Sequence, residues 1–321
     1  MSNKVSIVMY HYARDLQASR YPGIKGLDLK LFREQIDFLK ARYTFINCGQ
    51  LLESCIHGAD LPENSIFLTF DDGYIDHYTN VFPILKENNI QGFFSMPGKI
   101  LAEGKLLDVN KIHFILASLP IGDLMPKIRE RLDFYQGREY TIPPYEELYD
   151  KLAVANRFDT RDVIFIKRLL QVELDEALRN LITDDLFKDC VSLPEQAFAK
   201  ELYMSYDQIK LMRREGMVFG IHGYEHYWMN RLSPEALEND IKKALDVFAG
   251  IVPEEWICCY PYGSHSDSVI DCVKRLGAAA GLSTEVKTAT ADFSGRYLLA
   301  RFDTNDFPPV SERYLKFSVT K

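Results

Sequence analysis

Thr69-Phe70-Asp71-Asp72-Gly73 places two carboxylates directly behind the apolar run Ile66-Phe67-Leu68-Thr69-Phe70. Such a run, ended by a glycine, reads as a buried β-strand with a sharp turn after it. Adjacent Asp residues at the end of a strand repel each other and prefer water, so a metal or other cation nearby has to compensate them. Much later in the chain, His222-Gly223-Tyr224-Glu225-His226 follows a second apolar run, Met217 to Ile221. One carboxylate and two imidazoles suit a divalent metal with an open position, which leaves the other carboxylate free as a base. Taken alone, an Asp pair is ordinarily a solvated turn or a helix cap, and a lone His is ordinarily structural. Their shared position at strand ends is what turns them into a candidate site.

Working outward, strands alternate with helices, the signature of parallel α/β architecture. Val5 to Tyr10 is the first strand, and Asp28 to Arg42 reads as a helix with Leu29, Phe32, Ile36 and Leu39 on one stripe. A helix around Val81 to Glu87 follows the Asp pair, and Gly92 to Met96 is a strand stopped by Pro97-Gly98. Residues 100–204 break this rhythm with helical stripes such as Val163, Ile166, Leu169, Leu170, Leu174 and Leu178, and read as a helical insertion. The alternation then resumes. Ser205 caps a helix ending at Gly216, Met217 to Ile221 is a strand, and Ser233-Pro234 starts a helix to Phe248. Glu255 to Tyr260, Ala278 to Leu282 and Tyr297 to Phe302 are read as strands, with a helix from Ser266 to Leu276. Candidate residues at C-terminal strand ends are what (β/α) barrels use to build their sites.

The composition is that of an ordinary globular chain: 321 residues, 47% apolar and 26% charged. A net charge of -8 argues against general affinity for nucleic acid or anionic membranes. No apolar stretch is long enough for a transmembrane segment, and residues 1–12 are too short for a signal h-region with its cleavage site. The expected location is therefore cytoplasmic, with the six cysteines as reduced thiols. Cys258 and Cys259, adjacent on a strand, should point to opposite faces.

Pro261-Tyr262-Gly263 follows another apolar strand. It reads either as a plain turn or as a fixed backbone that aims the Tyr262 N–H at a developing oxyanion. Tyr and Trp residues crowd these motifs, and rings with hydroxyl handles suit sugar faces as well as a core. Thr69-Phe70-Asp71-Asp72-Gly73, His222-x-x-x-His226 and Tyr260-Pro261-Tyr262-Gly263, in this order, resemble the polysaccharide deacetylase family, the NodB-like carbohydrate esterase family 4. The resemblance covers residues 1–99 and 205–310. It implies one NodB-like domain over 1–321, a distorted (β/α) barrel with the helical insertion 100–204 inside it. It also implies metal-dependent removal of an N-acyl group from an amino sugar, with Asp71 as base and Asp72, His222 and His226 holding the metal. Zn2+ suits this ligand set, and Co, Ni, Mn or Fe(II) satisfy it as well.

Two departures accompany the resemblance. Cys258-Cys259-Tyr260 stand where the family carries an Arg before its turn, and Arg301 is the candidate to supply that charge beside Asp71. The late Leu-x-His motif that supplies the general acid is also absent, since no His follows His265. Tyr10-His11 at the end of the first strand resembles the early Tyr-His of poly-N-acetylglucosamine deacetylases, so His11 is preferred over His265 as acid. His57, His77 and His113 keep structural readings. With a cytoplasmic location, the expected substrate is an intracellular intermediate of surface-glycan synthesis, acetylated or formylated. Two other classes stay open: a zinc peptidase using His222-x-x-Glu225-His226 on a helix, with Glu225 as base, and a non-catalytic sugar-binding barrel.

Overall fold

The computed structural model describes residues 3–156 and 159–317. The chain divides into two units: Met1–Asp15, Gly26–Lys105 and Ala199–Lys321 form the first, Leu16–Lys25 and Leu106–Phe198 the second. Residues 100–105 and 199–204, read from sequence as ends of the insertion, lie in the first unit, whereas Leu16–Lys25 lies in the helical one.

The first unit is a mixed α/β barrel of distorted form. Along the sheet the strands run Ala289–Thr290, Lys4–Tyr10, Ser65–Asp71, Gly92–Met96, Val218–Ile221, Ile257–Cys259 and Ala280–Leu282. Neighbours from Lys4–Tyr10 through Ala280–Leu282 pair in parallel. Helices such as Leu29–Lys40, Tyr206–Arg214, Pro234–Val247 and Asp267–Arg275 connect them, each opened by an Asp or Ser side-chain cap as the sequence spacing predicts.

Period-two alternation sorts the strand residues into two layers. Ile66, Leu68, Phe70, Phe94 and Cys258 join the larger apolar cluster with the helices Leu29–Lys40 and Pro234–Val247. Ile7, Phe67, Phe93, Cys259 and Leu282 join a smaller cluster on the opposite face. Cys258 and Cys259 therefore fall into different cores, as expected, and Asp71 shares the face of Phe67 and Thr69.

Tyr297 to Phe302 is not one strand. Arg296–Leu298 is a 3-10 turn, Leu299 bridges Leu282, and Phe302–Asp303 pairs with Val8 and Met9. One short segment thus touches both the last strand of the sheet and the first. Between these contacts Arg301 is directed into the core, only 1% exposed. Thr44–Phe45, Cys48–His57 and Ala289–Thr290 are elements that the sequence reading left unassigned.

The second unit is helical, with Asp108–Ser118, Ile121–Tyr135 and Glu176–Val191 among its helices. Ile112, Phe114, Leu124, Ile128, Phe165, Leu169, Ile182 and Leu186 fill its interior. Tyr21 fastens Leu16–Lys25 to it through edge contacts with Phe114 and Phe198 and a 3.3 Å hydrogen bond to the Val191 carbonyl. Lys25 and Lys167 both pair with buried Asp159, the latter at 2.7 Å. Burial alone would raise the Asp159 carboxyl, but the two ammonium groups hold it below its ordinary value. A depressed carboxyl contributes stability above the unfolded value of about 4, and that contribution is lost as pH falls through the folded value. Asp159→Asn should therefore lower urea resistance at neutral pH and remove part of the acid sensitivity. Identical losses on acidification in both chains, followed by far-UV circular dichroism, would contradict this account.

Candidate active site

The strand Ser65–Asp71 delivers Asp71 and Asp72 together, and its neighbours complete the site. Register pairs Asp71 with Ser95 and Tyr10 with Phe70, so His11 continues its strand beside Asp71. Asp71 is 1% exposed and wholly engaged. Ser95 Oγ donates to Oδ1 at 2.5 Å, and Arg301 Nη1 lies 3.1 Å from Oδ1 and 2.8 Å from Oδ2. Arg301 is itself anchored, donating from Nε to the Ser283 carbonyl at 2.9 Å and from Nη1 to Thr69 Oγ1 at 3.1 Å. Burial pushes the Asp71 carboxyl up, but Arg301, His222, His11 and Ser95 together bring it down to about 2. It is ionised at neutral pH.

Cys259 Sγ sits 3.5 Å from each Asp71 oxygen, in the sequence neighbourhood where the resemblance had called for an arginine. Burial pushes this thiol up, so it stays protonated beside the carboxylate. The charge comes instead from Arg301, on a distant part of the chain. Ser95 and Cys259 were not singled out from sequence. Ser95, a hydroxyl at the end of an otherwise apolar strand, was the available signal.

Asp72 adopts φ +75°, His226 φ +63° and Tyr262 φ +58°, left-handed conformations that are rare for side chains with a Cβ. Three strained residues in one site cost on the order of 1–3 kcal/mol each, and the surrounding packing has to hold them. Tyr74 donates to Asp72 Oδ2 at 2.6 Å. Asp72 Oδ1 has no hydrogen-bond partner among the described residues, although His226 Nε2 lies 3.3 Å and His222 Nε2 3.6 Å away. His222 Nδ1 donates to the Cys259 carbonyl at 2.7 Å, which leaves its Nε2 lone pair facing Asp72. One donor atom from each of Asp72, His222 and His226 lies within 4.8 Å of the others. An orphaned buried acceptor facing two imidazole nitrogens fits a divalent cation, and the oriented tautomer of His222 is what a metal-ligating histidine requires.

The loop carrying both histidines is not helical, with Gly223 at φ +69° and His226 left-handed. Glu225 is turned to Lys99 at 2.7 Å. The inverted peptidase reading needs a helix and a free Glu225, and both conditions fail.

Around these groups, the Tyr262 ring packs on His226 and stacks with Trp228, with centroids 4.7 and 4.9 Å apart. His11 is partly buried, and its charge counts among the influences that lower both Asp carboxyls. Its backbone is clamped by one turn of the chain. His77 Nε2 donates to the His11 carbonyl at 3.0 Å, Asn80 donates to the Ala13 carbonyl at 2.9 Å, and Asp76 accepts from Ala13 N and Arg14 Nε. Burial lowers His77 to about 4, so it is neutral and serves as a fixed donor. His265 is exposed, with Nδ1 turned back to the Gly263 carbonyl.

The profile of polysaccharide deacetylases matches residues 58–113 and 195–281, which include the Asp pair, both histidines and the Tyr262 turn. Over these two segments the chain is similar to polysaccharide deacetylases. The poly-β-1,6-N-acetyl-D-glucosamine N-deacetylase of Escherichia coli (strain K12) is 46% identical over 81 residues, 25% of this chain and 12% of that protein. The chain thus matches only about an eighth of the length of that relative. The chain shares its fold with the Streptococcus pyogenes deacetylase PplD, solved with acetate, at TM-score 0.59 and 16% identity over 99% of both chains. IcaB from Ammonifex degensii aligns at TM-score 0.54 and 16% identity over 97% of this chain and 96% of its own. Among the described residues, no helix is long and apolar enough to cross a membrane.

Proposed function

We propose that this chain hydrolyses the N-acyl group, acetyl in the first instance, of an amino sugar in a glycan. The observation that carries the reading is the pairing of an ionised, arginine-held Asp71 with the unsatisfied Asp72 Oδ1 that faces His222 and His226. Asp72, His222 and His226 would hold a divalent cation, Zn2+ being the best match to two imidazoles and one carboxylate. Such an ion, when bound, supplies Lewis-acid chemistry that polarises an amide carbonyl and acidifies water.

The chain's own residues would divide the remaining work. Asp71 accepts the proton of the attacking water, its carboxylate held in place by Ser95 and Arg301. The Tyr262 backbone, fixed in its left-handed turn, offers an N–H to the charge developing on the acyl oxygen. His11 donates a proton to the departing amine, without which an amide nitrogen leaves very poorly. Its clamped backbone keeps it beside Asp71 through the cycle. The stacked Trp228 and Tyr262 rings offer an apolar face to a sugar ring at the edge of the site.

The name of the Escherichia coli relative and the stacked Trp228 and Tyr262 rings support a polymer-borne N-acetylglucosamine as acceptor. A nucleotide- or lipid-linked amino sugar, the intracellular intermediate expected from sequence, is the other arm of the test. Zn2+-loaded protein is incubated with N-acetylated β-linked glucosamine oligomers, chitin oligomers and nucleotide-linked N-acetyl and N-formyl amino sugars, and released carboxylate is quantified. Release from the oligomers alone supports the polymer reading. Absence of acetate and formate across the panel removes the enzymatic reading and leaves a sugar-binding barrel. In the same assay His11→Ala should lower turnover by about 10²–10⁴-fold while Zn2+ binding is kept. Near-normal rates would take His11 out of the acid role.

A further inference from the structure

The helix Pro234–Val247 buries Leu237, Ile241 and Ala244, and also an acid, Asp240, in the same stripe. Asp240 is 7% exposed, and its carboxylate is met by backbone amides. Its two oxygens accept from two successive backbone amides of the histidine loop. Oδ2 takes the Tyr224 N–H and Oδ1 the Glu225 N–H, both at 2.9 Å. From the other side, Gly98 N donates to the Gly223 carbonyl and Lys99 N to the Tyr224 carbonyl, each at 3.0 Å. A Cβ on Gly223 would meet Asp240 Oδ2 at 2.8 Å, so the left-handed glycine is what allows the carboxylate so close.

This arrangement has a consequence for His226. The residue sits at φ +63°, a conformation it would leave if the loop were released, and leaving it would carry Nε2 away from Asp72 Oδ1. Between the two histidines, Tyr224 is turned to Glu103 and Glu225 to Lys99, away from His226. The restraint comes from outside the loop, through the backbone. We infer that Asp240 is a positioning residue for the cation site: by holding the amides of Tyr224 and Glu225 it keeps His226 in its ligating pose and so sets metal affinity. The inference rests on the reading of Asp72, His222 and His226 as metal ligands.

The experiment is a Zn2+ titration by competition with a chromophoric chelator, on the full chain, for wild type, Asp240→Ala, Asp240→Asn, Gly223→Ala and Asp72→Ala. Thermal unfolding of each, with the metal removed, reports folding separately. Asp240→Ala should weaken Zn2+ binding by about ten- to a hundredfold, the range for residues that orient metal ligands. Gly223→Ala should do likewise with the carboxylate intact, and saturating Zn2+ should restore most of the turnover of Asp240→Ala. Asp240→Asn keeps one acceptor and should fall between; it carries the test if Asp240→Ala does not fold. A variant that is less heat-stable but binds Zn2+ within twofold of wild type would make Asp240 merely structural and overturn the inference, while loss of binding in Asp72→Ala keeps the ligand assignment. If Asp72→Ala binds Zn2+ like wild type, the ligand assignment itself fails.

Discussion

Asp71→Asn is expected to abolish turnover while leaving Zn2+ bound. The substitution keeps the size and the hydrogen-bonding edge toward Ser95 but replaces an ionised acceptor by an amide that cannot take a proton. Removing a general base of this kind costs about 10²–10⁴ in rate. Metal content should survive, because Asp72, His222 and His226 supply the convergent donor atoms and Asp71 faces Arg301 instead. Carboxylate release from an active oligomer, measured beside zinc stoichiometry on the same sample, checks both halves. Turnover within a fewfold of wild type would exclude Asp71 as the base, and loss of zinc with loss of activity would mean that the two carboxylates are not divided as proposed. Stability should fall as well, since Arg301 would be left with a neutral partner in a dry site.

The largest structural effect is expected from Arg301→Met. Both partners of the Arg301–Asp71 pair are 1% exposed. Breaking such a pair from one side costs about 3–5 kcal/mol, because the remaining charge has no water to turn to. Burial, the strongest influence on the Asp71 carboxyl, would then no longer be opposed by a guanidinium. Arg301 also carries hydrogen bonds to the Ser283 carbonyl and Thr69, so the segment that joins the first and last strands should loosen with it. A lysine is a poor substitute, since a point charge cannot reproduce the planar fork shared among these acceptors. Urea unfolding at neutral pH measures the loss. An Arg301→Met midpoint equal to wild type would show that Asp71 is stabilised by something other than this contact, and the role given to Arg301 would fall.

Much of the site was legible because its chemistry is concentrated in short motifs at strand ends. Ile66 to Phe70 reads as a buried strand, and its end brings Asp71 and Asp72 to the mouth of the sheet. His222 and His226 carry their own spacing. Tyr10-His11 and Arg301 were reachable by another route, as replacements for groups that the motifs lacked. What stayed hidden consists of groups that act through the backbone or across the sheet. Ser95 meets Asp71 only through strand register, and Cys259 approaches it from a strand far away in sequence. Asp240 belongs to no motif, although an acid on a stripe with Leu237, Ile241 and Ala244 is a readable anomaly. The last strand was misread for a related reason. Leu299-Ala300-Arg301-Phe302 is apolar enough for a strand, but a 3-10 turn takes up Arg296–Leu298 and only isolated pairings with Leu282, Val8 and Met9 follow.

The sequence by itself determined the alternation of strands and helices, the caps that start the helices, and the residue types able to hold a cation and move a proton. These are local matters, set by periodicity of two or 3.6 residues and by side-chain chemistry. Only the tertiary structure decided which carboxylate faces the histidines and which faces the arginine. Asp71 and Asp72 are neighbours of identical chemistry; the motif resemblance implied different roles for them, but their residue type alone does not. The pleat directs Asp71 to the face of Thr69, where Arg301 arrives from the other end of the chain. The left-handed turn at Asp72 swings the second carboxylate to the imidazoles. The division of labour proposed for the two carboxylates rests on where each side chain points.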